Sequence, residues 1–196
     1  MTKRIRINKW ARPYFTLDEY FAVLSATTAT YEFWEGEIAC VNGGTPEHAY
    51  VCSHLETLVQ GQLEPSGGRA FGQQLAVKTP ALPPFRFPNL SVVDAAPVFE
   101  DIGGIQALTN PAVIIEVISK GTEALDRGPK RTAYQALPSL QEYLLVESKM
   151  PHVTRYVRQG AEWRRFDYGS LSDVVALTAL QVEMPLREIY EGIEFN

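Results

Sequence analysis

The sequence predicts an α+β fold in a single domain, on three observations. Helical periodicity is confined to two early segments and two short later ones, extended segments crowd the middle of the chain, and two of these are joined through a helix. At 196 residues the chain fits one domain, 1–196, with a core that buries most of its unfolded apolar surface.

The first helix is announced by Thr16 as N-cap, by Asp18 and Glu19 in its first turn, and by Leu17, Tyr20, Phe21 and Leu24 along one face. Tyr31 to Val41, with Phe33, Trp34, Ile38 and Val41 around Gly36, reads as a hairpin turning near Glu35 and Gly36. Gly43 and Gly44 break it. Thr45 as cap and Pro46 at the first helical position then open a second helix, in which Val51, Cys52, Leu55, Leu58, Val59 and Leu63 recur at helical spacing. Pro65-Ser66-Gly67-Gly68 ends it, and short strands are expected over residues 71–79, 90–95, 112–118 and 143–147. Between the last two a third helix is expected over 129–137, with Pro129 in its first turn and Pro138 closing it. Residues 153–157 and 163–166, turning at Gln159-Gly160, form a further hairpin, followed by a strand within 173–182 and a short helix from Leu186.

Composition narrows the function. Hydrophobic residues make up 45% and charged residues 21%, the balance of a soluble globular chain with no apolar run of membrane-spanning length. The basic start, with Lys3, Arg4, Arg6, Lys9 and Arg12, is followed by no signal-peptide core, so a cytoplasmic location is expected, with Cys40 and Cys52 as reduced thiols. A net charge of −5 argues against a protein that coats nucleic acid indiscriminately, since such binding is driven by cations neutralising phosphates. A local basic surface remains open to Lys149, Arg155, Arg158, Arg164 and Arg165, although a solvated charged face is the plainer reading.

One carboxylate stands out. Glu116 interrupts the apolar run Ala112-Val113-Ile114-Ile115-Glu116-Val117-Ile118, and a strand apolar on both faces is buried, where an unpaired charge costs several kcal/mol. Glu116 therefore needs a partner: a divalent metal, a lysine or arginine, or a set of backbone donors. His48 and Cys52, four apart on a helix, with Cys40, are the minimum for a zinc site, but no CxxC or HExxH spacing supports one. The chain has no GxSxG, no Walker-type phosphate loop and no dinucleotide glycine fingerprint.

Pro88-Asn89-Leu90-Ser91-Val92-Val93, Ile115-Glu116-Val117-Ile118-Ser119, Asp126-Arg127-Gly128-Pro129-Lys130 and Leu140-Gln141-Glu142-Tyr143 occur in that order, preceded by Thr16-Leu17-Asp18-Glu19-Tyr20, Tyr31-Glu32, Gly36-Glu37 and Pro46-Glu47-His48. In order and spacing this series resembles the Uma-two (DUF820-like) family of bacterial endonucleases over nearly the whole chain. The resemblance implies a restriction-endonuclease-like fold, a mixed β-sheet flanked by helices, here with an extra C-terminal β-hairpin. It also implies a PD-(D/E)XK site, in which an Asp and a Glu hold Mg²⁺ (Mn²⁺ as substitute) and a Lys orients the water that cuts a DNA phosphodiester bond.

By the same resemblance Asn89 falls on the metal-binding Asp, Glu116 on the Glu and Lys130 on the lysine, with Lys120 as a competitor for the last role. Asn89 departs from the pattern: a neutral amide removes a full charge from a site for an ion that prefers anionic oxygens. Asp94 does not simply substitute, because strand alternation puts an offset of five on the opposite face unless a bulge intervenes; Glu47, His48 and Glu37 are candidates to compensate, each with an ordinary structural role as well. The two functions left are a Mg²⁺-dependent DNA endonuclease and a non-cutting descendant that keeps the fold as a nucleic-acid-binding or protein-interaction module. A homodimer is expected from the prevalence of that symmetry alone.

Overall fold

The structure, a computed structural model, describes residues 14–41, 44–63, 67–119 and 121–195. The described residues fall into two compact units, 14–41 and those from 44 onward. The basic residues 3–12 and Lys120 lie outside the described residues.

The first unit holds α1 (Leu17–Ala26), β1 (Tyr31–Trp34) and β2 (Glu37–Cys40). Thr16 caps α1 in a capping box with Glu19, as the spacing predicts. The hairpin turns through Glu35 and Gly36, both at positive φ, the backbone a two-residue turn between right-twisted strands demands.

The second unit begins with α2 (Pro46–Leu63) and continues through β3 (Arg69–Gly72), β4 (Ala76–Lys78), β5 (Phe85–Arg86), β6 (Leu90–Val93), β7 (Phe99–Ile102), β8 (Ile105–Leu108) and β9 (Val113–Ile118). Helix α3 spans residues 123–135, and β10 (Glu142–Glu147), β11 (Val153–Gln159), β12 (Glu162–Tyr168), β13 (Val174–Leu177), β14 (Val182–Pro185) and α4 (Leu186–Ile189) follow. Six strands form one mixed sheet in the order β12-β11-β10-β9-β6-β3, with β9 and β10 parallel and the other neighbours antiparallel. The parallel pair is joined by α3, the expected strand–helix–strand unit.

The sheet is covered on both faces. Val51, Leu55, Val59 and Leu63 of α2 pack with Val113, Ile115 and Val117 and with the β13–β14 hairpin on one side. On the other, Ile114, Ile118, Tyr143, Leu145 and Tyr156 pack with Tyr134 and Leu137 of the α3 region. Alternation along β9 therefore sends Glu116 to the α3 side.

Three expectations change. The strand expected over 71–79 is two strands in different sheets, and a second sheet, β5-β4-β8-β7, was not anticipated. Its hairpin turns at Gly103 and Gly104, both at positive φ, between strands whose exposed, acidic Phe99–Ile102 half disguises the β pattern. The region 173–182 forms a hairpin rather than one strand. The third helix begins six residues before the expected Pro129, and Pro129 sits inside a wide π-type turn, Asp126–Lys130. An i→i+5 turn tolerates the missing N–H and the ring that would break a regular α-helix.

Candidate functional site

The β6–β9 ladder ends at Leu90 opposite Ile115, so the next pair, Asn89 and Glu116, stands where the strands part. The Asn89 N–H donates to Glu116 Oε2 at 3.2 Å. The Asn89 side chain reaches across in return, its Oδ1 accepting from the Val117 N–H at 2.8 Å. The Val117 carbonyl accepts from His48 Nε2 of α2 at 3.1 Å. Two side chains thus take the place of the missing strand partner at the end of β9, satisfying a peptide that would otherwise be buried without bonds.

Glu116, 2% exposed, has its second oxygen turned to α3. Oε1 accepts from Lys130 Nζ at 3.1 Å and from the Tyr134 hydroxyl at 3.0 Å. Lys130, also buried, faces Asp126 Oδ1 at 3.2 Å. The stretch carrying these groups is fixed from below by Tyr143 of β10, whose hydroxyl donates to the Asp126 carbonyl at 2.9 Å. The sheet and the helix therefore hold two carboxylates about one ammonium in a nearly dry environment, where such contacts are strongest and hardest to leave unmade.

His48 is held below its ordinary value by burial, with the Val117 carbonyl and Asp126 pulling the other way. Its neutral ring donates from Nε2, leaving Nδ1 to accept from the Cys52 thiol at 3.7 Å. Burial first, and then Glu116, push that thiol up to about 12, so it stays protonated and serves as a donor.

The structure brings together the three residues implied by the resemblance, and two others the sequence reading left without a role. Asp126, Lys130 and Tyr134 lie at successive four-residue steps, a spacing that places them on one helical face once the helix is known to include 126. Placing its start at Pro129 hid that. Asp94 is exposed at the other end of β6, Glu37 is exposed, and Glu47 lies at the start of α2 with its carboxyl lowered by the Thr45 hydroxyl. Among the described residues, no three His, Cys, Asp or Glu side chains gather closely enough to hold a metal by themselves. Glu116 and Asn89 offer one carboxylate and one neutral amide oxygen already accepting an N–H, donors that would suit a hard divalent ion at the weak end if water and substrate supplied the rest.

The basic surface also changes. Arg155 is buried against Glu142 at 2.6 Å, and Arg158 donates to the Gln135, Leu137 and Leu140 carbonyls, closing the end of α3. Of that group, Arg164 and Arg165 stay exposed on β12 and Lys149 beyond β10.

This is a restriction-endonuclease-like fold, a mixed β-sheet flanked by helices. It is shared with the crystal structure of a "putative nuclease belonging to DUF820" from Anabaena variabilis ATCC 29413, with a TM-score of 0.69 over 89% of this chain and 97% of that one, at 17% identity. The chain belongs to the Uma2 family, described as "Putative restriction endonuclease", whose model matches residues 17–187. Two uncharacterized Synechocystis proteins are similar to it: slr1290, 28% identical over 93% of this chain and 95% of its own length, and sll1609, 28% identical over 74% and 81%.

Proposed function

We propose that this chain is a metal-dependent DNA endonuclease, a single restriction-endonuclease-like domain that hydrolyses phosphodiester bonds with Mg²⁺ or, in its place, Mn²⁺. The observation that carries the reading is the buried Glu116 carboxylate, set between the Asn89 strand end and the Lys130 ammonium. Glu116 and Asn89 would hold the ion, which when bound polarises the phosphate and lowers the pKa of water. Lys130, paired with Glu116, would orient the attacking water and oppose charge gathering on the phosphate. The Asn89–Val117–His48 bonds keep the strand end parted and fix the Glu116 backbone. A cytoplasmic setting and a homodimer belong to the same reading.

One observation favours the second reading, a non-cutting nucleic-acid-binding or protein-interaction module. Asn89 is neutral and its oxygen is engaged by the Val117 N–H. Plasmid nicking at matched protein and Mg²⁺ concentrations separates the two. We expect slow nicking by the native chain, faster nicking by Asn89→Asp, and none by Glu116→Gln. Native cutting as fast as that of the Asp variant would mean that Asn89 is no handicap; absence of cutting in all three would favour the binding module.

A further inference from the structure

We infer that Asp126 supplies the second carboxylate of the ion site, in place of the one lost at Asn89, and that the Lys130 ammonium occupies this position until a divalent cation displaces it. The inference rests on the metal-dependent reading above and adds to it a residue that the resemblance assigns no role.

Three observations lead there. Lys130 Nζ lies 3.1 Å from Glu116 Oε1 and 3.2 Å from Asp126 Oδ1, so the two carboxylate oxygens are no farther apart than these contacts laid end to end. An ammonium held by both is a stand-in cation, marking the place where a small ion would meet two anionic oxygens. Second, Asn89 Oδ1 is a neutral oxygen that already accepts from the Val117 N–H at 2.8 Å, so it leaves the ion one carboxylate short. Third, Asp126 is 1% exposed although it is a charged residue in a short helix. A lone Glu–Lys pair balances its own charge; a second buried carboxylate beside it leaves the group with one negative charge in excess, which a divalent cation would neutralise. Mg²⁺ is commonly held by one or two carboxylates with water and phosphate, and Glu116 with Asp126 meets the upper figure. The π-type turn and the Tyr143 bond to the Asp126 carbonyl fix the backbone that delivers it.

Calorimetric titration with Mn²⁺ tests this without any need for catalysis. We expect Asp126→Asn to weaken Mn²⁺ at least about tenfold, the scale on which even outer partners of a metal count. The loss should persist in a Lys130→Met background, and Asp126→Asn/Asn89→Asp should recover most of the affinity by returning a carboxylate from the other side. Should Asp126→Asn fail to fold, Asp126→Glu decides: retained Mn²⁺ binding supports the inference and its loss in a folded protein overturns it. Unchanged affinity in Asp126→Asn, or a loss that vanishes in the Lys130→Met background, assigns Asp126 to holding the lysine and overturns the inference. If Glu116→Gln abolishes binding while Asp126→Asn does not, the proposed function stands and this inference fails; if the native chain binds no Mn²⁺, both fail.

Discussion

Val117 contributes no side-chain chemistry, yet its peptide is where three elements meet: its N–H is taken by Asn89 and its carbonyl by His48. The second of these bonds titrates. Burial holds the folded-state value of His48 below the ordinary 6.5, so the ring is neutral in the fold while the unfolded chain takes up a proton as pH falls through that value. The unfolded state then binds more protons, and stability that is complete above about pH 6.5 is lost as the pH drops. Replacing His48 by Gln keeps a donor for the carbonyl and removes the titration. Between about pH 6.5 and 5 the Tm of the native chain should therefore fall more steeply than that of His48→Gln. Parallel curves would show that His48 carries no such linkage.

At the scale of elements, the parallel β9–α3–β10 unit and its position were legible in the apolar runs at 112–118 and 143–147, because a buried strand needs little but its own hydrophobicity to be recognised. The candidate residues Asn89, Glu116 and Lys130 are legible through motif order, while Asp126 and Tyr134 are not, because Pro129 reads in the sequence as a first-turn proline. A proline's local rule predicts a helix start; the tertiary contact from Tyr143 and the wide turn override it. The basic group at 149–165 misled in the same way, since charge in a sequence does not say which face of a strand it occupies. Arg155 donates to Glu142, and Glu142 accepts from the Thr178 hydroxyl and the Ala179 N–H, tying the β13–β14 connection to the sheet. With side-chain exposures of 7% and 1%, this pair is structural. Removing one partner leaves an uncompensated buried charge, so Arg155→Met should cost about 3–5 kcal/mol of stability while leaving Mn²⁺ affinity unchanged. Denaturant unfolding and calorimetry together check it: a change in Mn²⁺ affinity with no loss of stability would place Arg155 at the site instead.

For the molecule as a whole, the features converge on one end of the six-stranded sheet. The strands part there, and the helix between the parallel pair delivers the two buried ion pairs of Lys130 with Glu116 and Asp126. Among the described residues no helix is long and apolar enough to cross a membrane. The most direct test of the central claim is an anomalous difference map from crystals soaked in Mn²⁺. The account predicts one peak in contact with both Glu116 and Asp126, with the Lys130 ammonium moved off the position between them. A map with no peak there, or with Mn²⁺ bound elsewhere and Lys130 still bridging the two carboxylates, would contradict it.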